Sequence, residues 1–229
     1  MHARSEWKRA TALTAVVGAA LLCVSLAASA PGDPRRKLTA DGQALARSFV
    51  LRKADLPLAV RWKVEPTDFS QPNPACLVKH YSYSALTLVG EAGNTFTIAP
   101  GIPLVESDGS VFLSAGQARR AAAIDQKIGL ARCVASSLAK EVSKGSPGVT
   151  VSVQKISRLS FSGIGGAYGF RFVLRLRSSQ GAGTIDATLV GIRRGRELAS
   201  LSFITTQQPW PQAQVRSFAQ TTANRMKTS

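Results

Sequence analysis

The sequence predicts an α+β fold in two layers, an antiparallel β-sheet covered by helices, whose last four strands form an up-and-down meander. Three observations predict it. The last third of the 229-residue chain alternates apolar and polar side chains, as in Phe170-Arg171-Phe172-Val173-Leu174-Arg175-Leu176-Arg177, the period of half-buried strands. Segments with apolar residues three and four apart lie before, between and after the strand signals. The composition, 45% hydrophobic and 18% charged with 19 Gly and 11 Pro, is that of a packed domain and excludes a disordered or collagen-like chain.

Residues 1–30 read as export machinery. Arg4, Lys8 and Arg9 precede the uncharged stretch Thr11 to Ala27, and the small residues Ala28, Ser29 and Ala30 follow. That order is a signal peptide, with an uncleaved membrane anchor as the alternative. Without residues 1–28 the chain keeps 26 basic and 12 acidic residues, a net charge of +14, so the basic character belongs to the folded part. The expected location is secreted or cell-envelope, outside the cytoplasm. Cys23 leaves with the signal, and Cys76 and Cys133 remain. Two cysteines in an oxidising compartment predict one disulfide, closing a loop whose chain entropy is worth roughly 4 kcal/mol.

Residues 31–38 form a polar tether, and 39–229 the single domain. Thr39 caps a helix carrying Leu45 and Phe49 that ends before Pro57. Val60 to Glu65 alternates as a strand with Trp62 on its buried face, and a Pro-rich loop leads to Cys76. Strand signals return at Leu86 to Val89, Thr95 to Ile98 and Val111 to Leu113, with Gly93-Asn94 and Asp108-Gly109 as turn dipeptides between them. Ser114 and Gln117 form a capping box before a long helical pattern from Ala118 to Val142, which Gly129 can interrupt and Gly145 to Gly148 stops. The meander then uses strands around Val149 to Gln154, Phe170 to Arg177, Ile185 to Leu189 and Ala199 to Phe203. Pro211 opens a closing helix with Val215, Phe218, Thr222 and Met226 along one face.

Catalytic motifs are sparse. Ser137 and Lys140 match S-x-x-K on a helix, but Ser152 and Lys155 repeat the pattern on a strand, and neither K-T-G nor S-D-N follows. Gly163, Gly165, Gly166 and Gly169 lie between two strands, where a dinucleotide fingerprint needs a strand and a helix, and Tyr168 occupies the third glycine position. They read as a flexible connection. No pair of carboxylates stands out for glycoside hydrolysis. His80 is the only histidine after the signal, so no metal set exists, and no cofactor is implied.

A group of arginines remains. In an up-and-down meander Arg158, Arg171, Arg193, Arg194 and Arg196 fall toward one end of the sheet, and guanidinium forks suit phosphate or carboxylate. They are the candidate anion-binding residues, for an anionic envelope polymer, a lipid or an acidic protein surface. Export and the lack of interleaved aromatics argue against nucleic acid. At Asp55-Leu56-Pro57, Trp62, Cys76, the helix start Ser114 to Ala118 and Cys133, the chain resembles secreted or lipid-anchored sensor-type domains of actinobacteria. These include the extracellular domain of some of their Ser/Thr protein kinases. The resemblance implies a non-catalytic, two-layer α+β binding domain with a disulfide. This chain has one cysteine pair where the kinase-attached domains have more. The expected function is therefore an exported, non-catalytic binding or sensor-type domain of the cell envelope for an anionic or amphipathic ligand. A structural or partner-binding envelope protein, and a serine hydrolase using Ser137 and Lys140, are the alternatives.

Overall fold

The computed structural model describes residues 33–57, 60–69, 80–98, 104–179, 181–206 and 208–226. Among these, the strands are β1 (Arg35–Arg36), β2 (Lys63–Pro66), β3 (Thr87–Thr97), β4 (Leu104–Phe112), β5 (Thr150–Leu159), β6 (Ala167–Ser178), β7 (Gly181–Arg194) and β8 (Glu197–Thr205). The helices are α1 (Ala40–Phe49), α2 (Ala115–Asp125), α3 (Ile128–Gly145) and α4 (Gln212–Arg225). The strands form one sheet in the order β1-β3-β4-β8-β7-β6-β5, with β2 beside β1 on the outer edge of β3. Only the β1–β3 pairing is parallel. The α+β class, the antiparallel sheet and the meander β5 to β8 are as the sequence predicts.

The helices occupy both faces of the sheet rather than one, so the arrangement has three layers and not two. The cause is visible in the central strands, where adjacent residues of opposite facing are both apolar. Leu104 pairs with Ile204 and Val105 with Phe203, and all four are buried. Phe203, Val105, Val190 and Leu201 pack with Phe49 of α1 and with Val215 and Phe218 of α4. Leu104, Ile204, Phe170, Phe172 and Leu174 pack on the opposite face with Leu130, Val134 and Leu138 of α3. Beside them α2 places Ala118 and Ala121 against Leu86, Leu88 and Phe112.

Two turn dipeptides read from sequence are corrected. Gly93-Asn94 and Asp108-Gly109 lie inside β3 and β4 and pair with one another, Gly93 with Asp108 and Asn94 with Ser107. These glycines serve close approach, a common use of glycine within strands. A Cβ on Gly109 would lie 2.5 Å from the Phe49 ring, and one on Gly93 2.3 Å from Asp108 Oδ1. The three short strands expected between 86 and 113 are therefore two long ones.

The capping residues behave largely as their types predict. The hydroxyls of Thr39 and Ser114 accept bonds from the amides of Gly42 and Gln117. Gln117 does not complete its box: its Oε1 instead accepts from the Thr87 amide at 2.7 Å and fixes α2 to β3. The long helix breaks at Gln126 and Lys127, two residues before Gly129, whose missing Cβ makes room for the Tyr81 hydroxyl. The glycine-rich connection between β5 and β6 is anchored by the buried Phe161 and Ile164. Cys76 and the segment 1–30 lie outside the described residues.

Candidate functional site

On the face covered by α2 and α3 the two apolar clusters do not meet. Between them the sheet carries Ser110 of β4 and Ser200 and Ser202 of β8, which register places on that face. Ser200 is exposed although β8 is central, paired with β4 on one side and β7 on the other. The result is a cavity of about 180 Å3. Phe112, Leu130, Ala131, Val134 and Phe170 form its apolar walls, and the serines, Glu91 and Asp108 line its sheet side.

Glu91, Asp108 and Asp125 line the cavity of a strongly basic chain, with Glu106 buried next to them. Glu106 and Asp108 are two apart on β4 and face the same way, and Glu91 stands across from Ser110 on β3. Asp125, the last residue of α2, accepts hydrogen bonds from two tyrosine hydroxyls: Tyr83 at Oδ1, and Tyr168 at Oδ2 over 2.9 Å. Tyr168 stands on β6 directly over Gly191 of β7, where a Cβ would lie 2.2 Å from the ring. Glycine at 191 is thus what admits Tyr168 to the site.

Burial governs the electrostatics. It pushes the Asp108 carboxyl up to about 7, with the neighbouring Thr67 hydroxyl offsetting only part of the effect. It raises Glu106 well above the usual carboxylate range, and the Asp108 charge adds to that. Asp125 is raised by burial and partly restored by its two tyrosines, whose own pKa values are raised by burial and by the Asp125 charge. Glu91 is raised by burial against the opposing pull of Arg36, which it meets at 3.3 Å. Among the described residues, Glu106, Asp108 and Asp125 have no ion-pair partner.

The raised Asp108 has a measurable consequence. With the folded pKa above the unfolded one, the stability its proton confers is fully present below about pH 4 and is lost as pH rises through 7. The shift from 3.8 to about 7 sets a ceiling of about 4 kcal/mol, which the opening of the cavity to water lowers. Asp108→Asn is expected to unfold at higher temperature than the parent at pH 8, by on the order of 2 kcal/mol. That corresponds to roughly 4–8 °C, with the two proteins converging near pH 4 in calorimetric scans. A variant less stable than the parent at pH 8 would refute the account of this carboxyl.

The candidate arginines are distributed over both faces. Arg158, paired with Phe170, lies on the cleft face with its guanidinium 5.8 Å from that ring's centre. Arg193, paired with Leu198, shares that face and acts electrostatically on Tyr168. Four residues of strand separate their registers, about 13 Å. Arg171 faces the other way and is held by Asp186 through Nε and Nη2 at 2.6–3.1 Å. Arg194 shares the face of Arg171, six residues from its register, about 20 Å. Arg196 lies in the β7–β8 turn. The structure therefore places Arg193, Arg194 and Arg196 at one hairpin end, Arg193 and Arg194 on opposite faces of β7, and sets Arg158 and Arg171 apart from them. Ser137 and Lys140 lie on α3 and line no part of the cleft, Lys140 being exposed. His80 is exposed beside Tyr81.

The fold and site define an α+β domain with an open, partly acidic cleft between its sheet and two helices. No protein-family model and no curated protein matches the chain. Among solved structures it is similar to the extracellular domain of PknH from Mycobacterium tuberculosis, with a TM-score of 0.44 and 9% sequence identity. That match covers 80% of this chain and 95% of the other.

Proposed function

We propose that the protein is an exported, non-catalytic binding domain of the cell envelope, and that its cleft between the sheet and helices α2 and α3 holds an amphipathic ligand. The observation that carries this reading is a cavity whose apolar walls, from α3 and from Phe112 and Phe170 of the sheet, surround a polar patch of serines and carboxyls. A central strand leaves Ser200 uncovered between two apolar clusters, and a ligand with an alkyl body and a polar head matches that division. Export is supported by the basic start and apolar stretch of residues 1–30. No helix among the described residues is long and apolar enough to cross a membrane.

A Cys76–Cys133 disulfide belongs to the same proposal, supported by the two cysteines that an exported chain would keep after its signal. It would tie the segment before Tyr81 to the helix that walls the cleft. The turn arginines Arg193, Arg194 and Arg196 are proposed to meet an anionic envelope polymer, lipid headgroup or acidic protein surface, with the net positive charge as support.

The test of the cleft uses 1-octanol as a neutral amphipathic probe, observed by saturation-transfer NMR. The parent is expected to bind it. Ser200→Phe, which fills the floor from an exposed position, should abolish the signal while changing Tm by no more than about 2 °C, as surface substitutions do. Equal octanol signals from both folded proteins would reject the cleft as the site.

A further inference from the structure

We propose that the uncovered face of strands β5 and β6, opposite α3, is a docking surface for a linear polyanion of the phosphate-polymer class, which lies along β6 and is held by Lys155, Arg175 and Arg177. The surface is separate from the cleft, which opens on the other face of the sheet, and from the hairpin of Arg193, Arg194 and Arg196. The sequence concentrates positive charge in this part of the chain: residues 142–229 hold 12 Lys and Arg but only two acids, Asp186 and Glu197. Helix α3 packs on Phe172, Leu174 and Leu176 of β6 and on Val151, Val153 and Ile156 of β5. The alternate residues of β6 face the other way, and register sets Lys155 beside Val173, Ser152 beside Arg175 and Thr150 beside Arg177. Lys155, Arg175 and Arg177 are all exposed there.

Lys155 joins the arginines because the β5 register shifts between Val153 and Lys155. Uninterrupted alternation would turn Lys155 toward α3 and Ile156 toward solvent. The extra residue, Gln154, reverses both, so that Ile156 pairs with Phe172 in the core and Lys155 with Val173 outside. Arg175 and Arg177 are about 7 Å apart along β6, and Lys155 lies about 7–8 Å diagonally from Arg175, so the three cations form a row about 13 Å long. The exposed Ser152 and Thr184 flank Arg175 on either side and add hydroxyl donors. The acid beside the row is Asp186 of β7, which is buried and held at both oxygens by Arg171. Among the described residues Lys155, Arg175 and Arg177 have no ion-pair partner. Guanidinium forks donate in parallel pairs to phosphate, and a row of cations matches successive phosphates of one chain. The large exposed apolar side chains among the described residues, Leu38, Val64 and Leu113, lie off these strands, so the face carries charge without a group to enter the hydrocarbon of a bilayer.

Calorimetric titration of the full chain with long-chain inorganic polyphosphate tests this, beside orthophosphate and phosphatidylglycerol vesicles. The parent is expected to bind polyphosphate more tightly than either, with an affinity that falls roughly twentyfold between about 50 and 200 mM salt, as three phosphate contacts imply. The combined variant Lys155→Gln, Arg175→Gln, Arg177→Gln should bind at least about tenfold more weakly at the lower salt, and Arg175→Gln and Arg177→Gln alone should each show part of that loss. The matched variant Arg119→Gln, Arg132→Gln, Lys144→Gln removes the same charge from exposed positions of α2 and α3 and should bind nearly as the parent does. Both combined variants should unfold within about 2 °C of the parent, as surface substitutions do. An equal loss in the matched variant, an undiminished affinity in the sheet variants, or a loss confined to Arg193→Gln, Arg194→Gln, Arg196→Gln overturns the proposal. So does orthophosphate binding as tightly as polyphosphate, tighter binding to the vesicles, or no binding of polyphosphate at all. None of these outcomes alters the octanol test of the cleft, so the two readings stand or fall separately.

Discussion

Gly90→Ala is expected to cost at least about 3 kcal/mol and to lower Tm by roughly 6–12 °C. The reason is a backbone-to-backbone approach that no rotamer can relieve. Strand β3 is irregular between Leu88 and Gly90, and α1 is docked on that irregularity. The Thr39 amide donates to the Val89 carbonyl at 2.8 Å, and the Gln43 side chain accepts from the Glu91 amide at 2.8 Å. A Cβ on Gly90 would lie 2.0 Å from the Gly42 carbonyl oxygen, and one on Gly42 would lie 2.1 Å from that of Val89. Ordinary contact needs more than 1 Å of extra separation, and α1 can supply it only by lifting off the sheet. Lifting breaks both docking bonds and opens the packing of Ala46 and Phe49, each fully buried.

The control is Gly116→Ala in α2, where the nearest atom to a new Cβ is 3.8 Å away. Helix propensity there predicts a gain of about 0.5–1 kcal/mol. Chemical unfolding of the two variants beside the parent gives both signs in one experiment. A Gly90→Ala protein within about 2 °C of the parent would mean that α1 is not seated on β3 as described.

What could be read in the sequence follows the range of the interactions. The meander β5 to β8 was legible because alternation is local: Phe170, Phe172, Leu174 and Leu176 declare the buried face of β6 without reference to any other strand. Gly93-Asn94 and Asp108-Gly109 misled because glycine has two uses with one spelling. A turn needs it for backbone freedom, whereas here Thr67, Asp108 and the Phe49 ring need the space of a missing Cβ, and all of those neighbours are remote in sequence. The error hid the cleft as well. A turn at Asp108-Gly109 would put Glu106 and Asp108 at a strand end. Read through as one strand, the same residues alternate onto one face beside Ser110. That signal was present in period two. Asp125 offered none, since its tyrosines lie 42 and 43 residues away and arrive only with the tertiary fold. The arginines show the converse lesson. Topology predicts proximity to one end of a sheet, but strand parity, equally local in the sequence, places Arg158 and Arg193 on the face opposite Arg171 and Arg194.

Phe203→Ala is the second large effect, expected at about 4 kcal/mol within the range of 3–5 for a buried phenylalanine. Phe203 is fully buried on β8, on the face covered by α1 and α4. Its ring stacks on Phe218 of α4 at 5.6 Å and leans on Trp210 at 5.6 Å, which in turn stacks on Trp62 at 6.2 Å. Removing the ring therefore subtracts two aromatic contacts, each worth about 0.5–1.5 kcal/mol beyond area, and leaves a cavity between sheet and helix that stiff neighbours cannot close. Urea unfolding should show a lower midpoint with an unchanged slope. A loss below about 2 kcal/mol would mean that α4 collapses into the space. The variant also separates the two faces of the sheet. The cleft lies on the other side of β8, built on Ser200 and Ser202, whose side chains point away from the aromatic cluster. Folded Phe203→Ala should therefore bind octanol as the parent does. Loss of binding together with stability would mean instead that the cleft depends on the packing beneath it.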